Sequence, residues 1–458
     1  MNKHEVRTKT LEVLIRVGDS GAFSHLIIDQ TIQQMDWSVQ DQALFTELVY
    51  GTLQRKLTLD YFLQHFVNPK KKVEKWVKWL LYLSFYQMHY LDKIPDHAII
   101  HEAVEIAKLK GHQGIGKFVN GVLREAQRQG FPSFDQIEDP IERIAIETSH
   151  PYWLVERWSD AFGEVKAKSI CMANLNTKPI SIRVNPLKMS RDNLMEQLTA
   201  DGYYVEASQF SKQGIVVMKG RILSHPLFKS GVFSIQDQSS MLVVEMMDIH
   251  PDQIVLDACS APGGKATHIG EKLKNTGRVH AHDLHQKKVN LVQNKAEELG
   301  LLNIRTKAID GRQLANVYDQ ETFDRILIDA PCSGFGVIRG KPDIKYSRTE
   351  ADVEALAQVQ YELLESIAPL LKRDGKLIYS TCTLDPTENE AVISEFLMTY
   401  HQTFEIDPDF FTDLPKFLNN SQGVSQVGVQ IFPDDFNSDG FFITRLRKKQ
   451  EINSFNRE

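Results

Sequence analysis

From residue 254 onward the sequence alternates short β-branched apolar runs with helical patterns, and no other feature restricts the fold as much. Residues 254–258 read as a strand opening into a Gly-rich turn, 265–273 as helix, 278–282 as strand and 287–299 as helix. Strands follow at 304–309 and 323–328, a long helix at 350–371, a strand at 376–381, a helix at 388–400 and a closing strand at 441–446. This alternation predicts a mostly parallel sheet covered on both faces. In such sheets ligands bind beyond the carboxyl ends of the strands.

Chemistry-bearing residues gather at those ends. Asp257-Ala258-Cys259-Ser260-Ala261-Pro262-Gly263-Gly264-Lys265 follows the first strand and opens a helix. Its small residues let backbone N–H groups approach a ligand, and a helix N-terminus adds positive potential. The turn is neither GxGxxG nor a P-loop ending in Ser or Thr, so dinucleotide and triphosphate readings are weak. Asp283 ends the next strand, roughly 20 residues after the turn, where a carboxylate reaches ribose hydroxyls. Asp310 ends the third, placed either for an adenine edge or as a cap for the following turn. His280, His282 and His285 surround Asp283, but without a helical HxxxH or clustered carboxylates no metal site is expected.

Asp329-Ala330-Pro331-Cys332-Ser333-Gly334 ends the fourth strand and Ser380-Thr381-Cys382-Thr383 the fifth. Adjacent strand ends in one parallel sheet bring both thiols to a single cleft. The four cysteines, at 171, 259, 332 and 382, form no CxxC pair, so neither a zinc knuckle nor a disulfide framework is indicated.

The remainder organises around this core. Residues 1–130 carry helical periodicity, as in Phe45, Leu48, Val49 and Leu53, and predict a bundle of several helices. Lys70, Lys71, Lys72, Lys75 and Lys78 overlap Trp76 and Trp79, a pattern that either binds nucleic acid or marks an amphipathic helix with solvated lysines. Residues 131–150, polar and acidic with two prolines, suit a linker. Residues 151–230 mix a helix at 153–162 with β-like runs at 180–184 and 215–218, which suggests a small α+β module. That module holds 11 Lys and Arg against 7 Asp and Glu, although the whole chain carries −7. The net charge disfavours an indiscriminate nucleic-acid binder, and the basic middle is where a polyanion could dock. No apolar run is long enough for a membrane span and no leader pattern is evident, so a cytoplasmic protein is the expectation.

Two thiols beside a cofactor turn and an aspartate suit one reaction in particular. A thiolate added to C6 of cytosine turns C5 into a carbon nucleophile able to take a methyl group from S-adenosylmethionine, and Asp329 is placed to steady N3 or O2 of the base. The base must leave its stack to reach such a cleft. The sequence resembles, over essentially its whole length, the bacterial 16S ribosomal RNA cytosine-C5 methyltransferases of the RsmB (Sun) family. The resemblance rests on residues 47–53 (ELVYGTL) and 118–124 (FVNGVLR), similar to the NusB-type helical fold. It continues through Arg183-Val184-Asn185-Pro186, Gln236-Asp237-Gln238-Ser239-Ser240, the two cysteine motifs, Pro342-Asp343 and Glu388-Asn389-Glu390.

The resemblance implies a multidomain chain. An all-α NusB-like RNA-binding bundle would occupy residues 1–140, a small α+β RNA-binding module 150–230 and an α/β Rossmann-like methyltransferase domain 231–450. It further implies that Cys259, Ser260, Ala261, Pro262, Gly263, Gly264 and Lys265, with Asp283, Asp310 and Asp329, hold S-adenosylmethionine. Cys382 is then the nucleophile, Cys332 assists product release, and Lys265 helps order the site. The expected partner is 16S ribosomal RNA, with no metal, no membrane and a monomeric chain. Arg339-Gly340 departs from the two consecutive arginines common among relatives, and Cys171 matches no motif and is read as buried and inert. Two other readings remain at this stage: a non-catalytic RNA-binding factor acting through the bundle, and a nicotinamide oxidoreductase, against which the absent GxGxxG counts.

Overall fold

The computed structural model describes residues 5–20, 24–419 and 421–449. The chain forms two compact units, residues 1–176 with 338–348, and residues 177–337 with 349–458.

The first unit is helical. Helices run from Glu5–Ser20 through Val39–Gln54, Lys56–Phe66, Lys75–Tyr90 and Asp96–Lys110 to Gln113–Gln129. Spacings of three and four residues put Phe45, Leu48, Val49 and Leu53 on one face, and these pack with Leu59, Phe62, Leu80, Phe85 and Leu123. In helix Lys75–Tyr90 the buried face holds Val77, Trp79 and Leu80, while Lys70, Lys71, Lys72 and Lys75 stay exposed and Trp76 is half-buried. The helix is therefore amphipathic with Trp79 as a core residue, and its exposed lysines fit both readings of the cluster. The stretch expected to be a linker contains helix Pro140–Thr148. Asp139 caps it, Pro140 starts it, and Ile144 and Ala145 are buried. Helices Tyr152–Phe162 and Glu164–Asn174 complete this part of the chain.

Residues 338–348, which follow the Pro-Cys motif in sequence, pack into this helical unit. Lys345 is fully buried there and donates to the Gln54 carbonyl at 2.9 Å. Arg339 donates to the Ala173 carbonyl at 2.6 Å.

The second unit begins with four antiparallel strands: β1 (Ile180–Val184), β2 (Tyr204–Ala207), β3 (Gly214–Lys219) and β4 (Phe233–Ile235), in the order β2-β3-β1-β4. Helix Arg191–Ala200 covers them, burying Leu194 and Leu198 against Ile182, Ile215 and Phe233.

The large sheet contains β5 (Ile254–Asp257), β6 (Arg278–Asp283), β7 (Ile304–Ala308), β8 (Phe323–Asp329), β9 (Leu371–Thr381), β10 (Phe404–Ile406), β11 (Val429–Ile431) and β12 (Phe441–Lys448). Its order is β10-β12-β9-β8-β5-β6-β7, with β11 paired to β12. The stretch β9-β8-β5-β6-β7 is parallel, as expected; β12, β10 and β11 add an antiparallel edge. Alternation along the strands feeds two cores. Val255, Leu327 and Ile378 meet Ala266, Ile269, Val292 and Ala296 on one face. Leu256, Ile326, Ile328 and Leu377 meet Leu363, Leu364, Ile367 and Phe396 on the other. The long helix stops at Ile367, short of the expected 371, and β9 starts at Leu371. Pro369 explains the early stop: it has no N–H to donate to the carbonyl four residues back and its ring crowds that turn, so the α-helix gives way to a 3₁₀ turn at Ala368–Leu370.

β6 and β7 lie on one side of β5, and β8 and β9 on the other. That reversal opens a crevice beyond the end of β5, where open α/β sheets bind ligands.

Candidate active site

The turn after β5 is cross-linked to the end of β6. The Ser260 N–H and hydroxyl both donate to the His282 carbonyl, at 2.7 and 2.9 Å. Asp283 accepts the Ala261 N–H at 3.3 Å and the His285 N–H at 3.3 Å. Gly263 has φ +107°, and a Cβ there would stand 3.1 Å from Val292 Cα, so only glycine lets the turn pass this close to helix Gln286–Leu299. Gly264 then opens helix Gly264–Lys272.

Lys265, on the first turn of that helix, reaches across β5 to β8. Its Nζ lies 2.8 Å from Asp329 Oδ2 and 4.6 Å from the Phe441 ring centroid. Asp329 Oδ1 accepts the Ser380 hydroxyl at 2.8 Å, so this carboxylate bridges the cofactor turn and β9. Asp310 caps the 3₁₀ turn Gly311–Asn316 through the Arg312 N–H, and the Arg312 guanidinium engages both its oxygens. The Arg312 side-chain hydrogen bond holds the Asp310 carboxyl below the usual range.

The two cysteine motifs meet. Asp329 pairs with Ser380 in the parallel register of β8 and β9, so the chains leave the sheet side by side. Cys332 Sγ and Cys382 Sγ stand 3.4 Å apart and both are partly accessible, Cys382 between buried Thr381 and Thr383 and Cys332 between exposed Pro331 and buried Ser333. The hydrogen bond to Cys382, then burial, then the charges of Cys382, Glu388 and Asp329 push the Cys332 thiol well up, so it holds its proton at neutral pH. Burial and the surrounding carboxylates push Cys259 well up too. Cys171, remote in sequence and fully buried, is pushed up to about 12 by burial.

Burial and pairing show what the motif positions of several other residues do not. Asp257 is fully buried at the base of the turn, and burial with the neighbouring Asp329 charge raises its carboxyl to about 8. Arg183 of β1 is fully buried; its donors reach the Gly264 carbonyl at 2.7 Å, Thr267 Oγ1 at 3.0 Å, both Glu271 oxygens at 2.8 and 2.9 Å, and Gln236. The sequence displays Arg183 only as part of a motif in another module. His280 and His282 share the Tyr318 hydroxyl, at 2.9 and 2.8 Å, and His282 also meets the Lys307 carbonyl. Among the described residues no group of three His, Cys, Asp or Glu side chains could hold a metal ion.

Three family models match separate stretches of the chain. Residues 244–447 match the family model of the 16S rRNA methyltransferase RsmB/F, residues 4–128 the NusB family, and residues 150–222 the ferredoxin-like domain of RsmF/B-like methyltransferases. A probable ribosomal RNA small subunit methyltransferase B of Bacillus subtilis is 49% identical over 98% of this chain and 100% of its own length. A crystal structure of a methyltransferase homolog protein from Pyrococcus horikoshii is 28% identical, with TM-score 0.60 over 68% of this chain and 100% of that one. The crystal structure of PH0851 shares the fold at TM-score 0.80, with 24% identity over 96% of this chain and 99% of its own.

Proposed function

Because this chain belongs to the ribosomal RNA small subunit methyltransferase B family, we propose that it methylates C5 of one cytosine in 16S ribosomal RNA through a transient cysteine–C6 bond. The observation that carries the reading is the 3.4 Å thiol pair beside the Lys265–Asp329 bridge.

S-adenosylmethionine, when bound, supplies an electrophilic methyl group. The turn fits such a donor: Gly264 leaves its backbone open, Cys259 to Lys265 run from the end of β5 into a helix N-terminus, and Asp283 sets a carboxylate at the end of β6. Asp310 lies at the end of β7 for the far side of the nucleoside. Cys382, as thiolate, adds to C6 of the cytosine and makes C5 electron-rich. Asp329 holds the polar edge of the base, and Lys265 fixes Asp329. In the later step H5 leaves C5 as a proton to water while the C6–S electron pair returns to Cys382, and Cys332, 3.4 Å from Cys382, is placed to assist that release.

Grip on the RNA belongs in this reading to residues 1–140 and 150–230, with catalysis in residues 231–450 of a monomeric, cytoplasmic enzyme. Within the bundle, Lys71 stands 3.8 Å over the Phe118 ring and Lys110 5.8 Å from Trp76. These contacts gather the 70–75 turn, the end of helix Asp96–Lys110 and the start of helix Gln113–Gln129 into one basic surface suited to phosphates.

Labelled methyl transfer to 16S RNA tests the roles of the thiols. Cys382→Ala is expected to abolish both methylation and covalent capture of RNA. Cys332→Ala is expected to accumulate a denaturant-resistant protein–RNA adduct. Exchange of those two outcomes would reverse the assignment, and loss of no bisulfite-resistant cytosine on deleting the gene would remove the substrate.

A further inference from the structure

Cys332 and Cys382 lie on separate loops that touch, beyond the cysteines themselves, through Ser333 with Thr383 and the Gly336 N–H with the Cys382 carbonyl, so the position of the Cys332 side also depends on what holds Pro331 and Ser333. One group holds both. Glu388 is fully buried, and its carboxylate accepts the Ser333 N–H at 2.8 Å, the Ser333 hydroxyl, and the Gln360 side-chain amide at 2.9 Å. The same Gln360 amide donates to the Pro331 carbonyl at 2.9 Å. Both residues flanking Cys332 are therefore tied to one carboxylate, directly or through Gln360.

The other thiol is tied in as well. Ser333 Oγ lies 2.6 Å from Thr383 Oγ1, the residue after Cys382. The Ser333 hydroxyl has one proton and spends it on Glu388, so Thr383 donates to Ser333 and the chain of donors runs toward the carboxylate. At the backbone, the Tyr379 hydroxyl donates to the Glu388 carbonyl at 2.6 Å and the Gly336 N–H to the Cys382 carbonyl at 2.9 Å. Burial pushes the Glu388 carboxyl up, and the Ser333 and Gln360 donors oppose it. A carboxylate kept at that cost, with no path to substrate of its own, is a brace.

We propose that Glu388 is a positioning residue that holds the Cys332 loop against Cys382, and that it serves the release of product rather than the first attack. This rests on the two-cysteine reading given above. Formation of the C6–S bond needs Cys382. Its rupture, in which H5 departs as a proton to water and the C6–S electron pair returns to Cys382, needs Cys332 still within reach. Loosening the brace leaves the first event nearly intact and delays the second.

The experiment uses the full-length enzyme, 16S RNA and a tritiated methyl donor, with three readouts: single-turnover methyl transfer, steady-state turnover and denaturant-resistant adduct. For Glu388→Ala, steady-state turnover is expected to fall roughly 10²-fold, the scale of an ångström of misplacement. Single-turnover transfer should persist while adduct accumulates as it does for Cys332→Ala. Glu388→Gln keeps an acceptor for the Ser333 N–H and Gln360, and is expected to restore most of the turnover. Unchanged turnover in Glu388→Ala overturns the proposal, as does loss of adduct together with turnover in a folded protein. If Glu388→Ala does not fold, Gln360→Met carries the test, because it releases only the Pro331 side of the brace; adduct accumulation sustains the proposal and its absence overturns it. A Cys332→Ala enzyme that forms no Cys382-dependent adduct would instead overturn the cysteine mechanism itself.

Discussion

Asp257, Asp283 and Asp310 each sit at the carboxyl end of a strand of one sheet, yet they are three different chemical objects. Asp283 is occupied by backbone N–H groups. Asp310 is held ionised by Arg312 two residues on. Asp257 is sealed in, and burial with the charge of Asp329 raises it to about 8. In the unfolded chain it titrates near the ordinary value of about 3.9. Between roughly pH 4 and 8 the folded protein thus keeps a proton that the unfolded chain has released, and stability must fall as pH rises through that window. Asp257→Asn removes this slope. Urea midpoints of wild type are expected to drop from pH 5 to pH 8.5 more than those of the variant, and parallel pH profiles would refute the assignment. Sequence marks all three aspartates by position; it carries no sign of which is protonated, because burial and a neighbouring charge decide that.

Helix Gly264–Lys272 shows how one element serves two purposes. Its N-terminus borders the cofactor turn, and its inner face is bolted to β1 by the Arg183–Glu271 ion pair, which no solvent reaches. A buried pair is costly to make but costlier to break. Arg183→Met would leave Glu271 charged without its partner, with a loss of about 3–5 kcal/mol. Replacing both, as Arg183→Met with Glu271→Leu, is expected to recover much of that loss in guanidinium unfolding. Failure of the double variant to improve on the single would mean the pair is not what holds the helix. Six of the eight strands of this sheet were legible from apolar alternation, with ends off by up to five residues, while the three-residue strands β10 and β11 were too short to show a pattern. Other errors fell at Pro369, which ended a helix early, and at residues 140–148, where acidic and proline-rich sequence still buried Ile144 and Ala145. Polar composition hid a helix there because only one face of it needs to be apolar.

The helical unit carries the lysines on which the proposed RNA contact rests. Exposed lysines in the helical unit come from three elements far apart in sequence. Among the described residues, Lys70, Lys72, Lys75 and Lys117 have no carboxylate within salt-bridge distance, whereas Lys108 is paired with Glu105. If each of the four neutralises one phosphate, changing all of them to Gln should reduce the slope of log affinity against log salt by about 3. Filter binding of 16S RNA at several salt concentrations measures this, and an unchanged slope would return the surface to plain solvation. The chain's order of motifs told in advance that a parallel sheet carries a cofactor turn and two thiols at neighbouring strand ends, since strand polarity and sequence adjacency require it. What sequence could not supply was distance: the 3.4 Å between the sulfurs, the brace at Glu388, the insertion of residues 338–348 among helices and the reach of Arg183 into another module's helix. Those arise from packing between segments 50 to 290 residues apart, and local sequence periodicity contains no term for that.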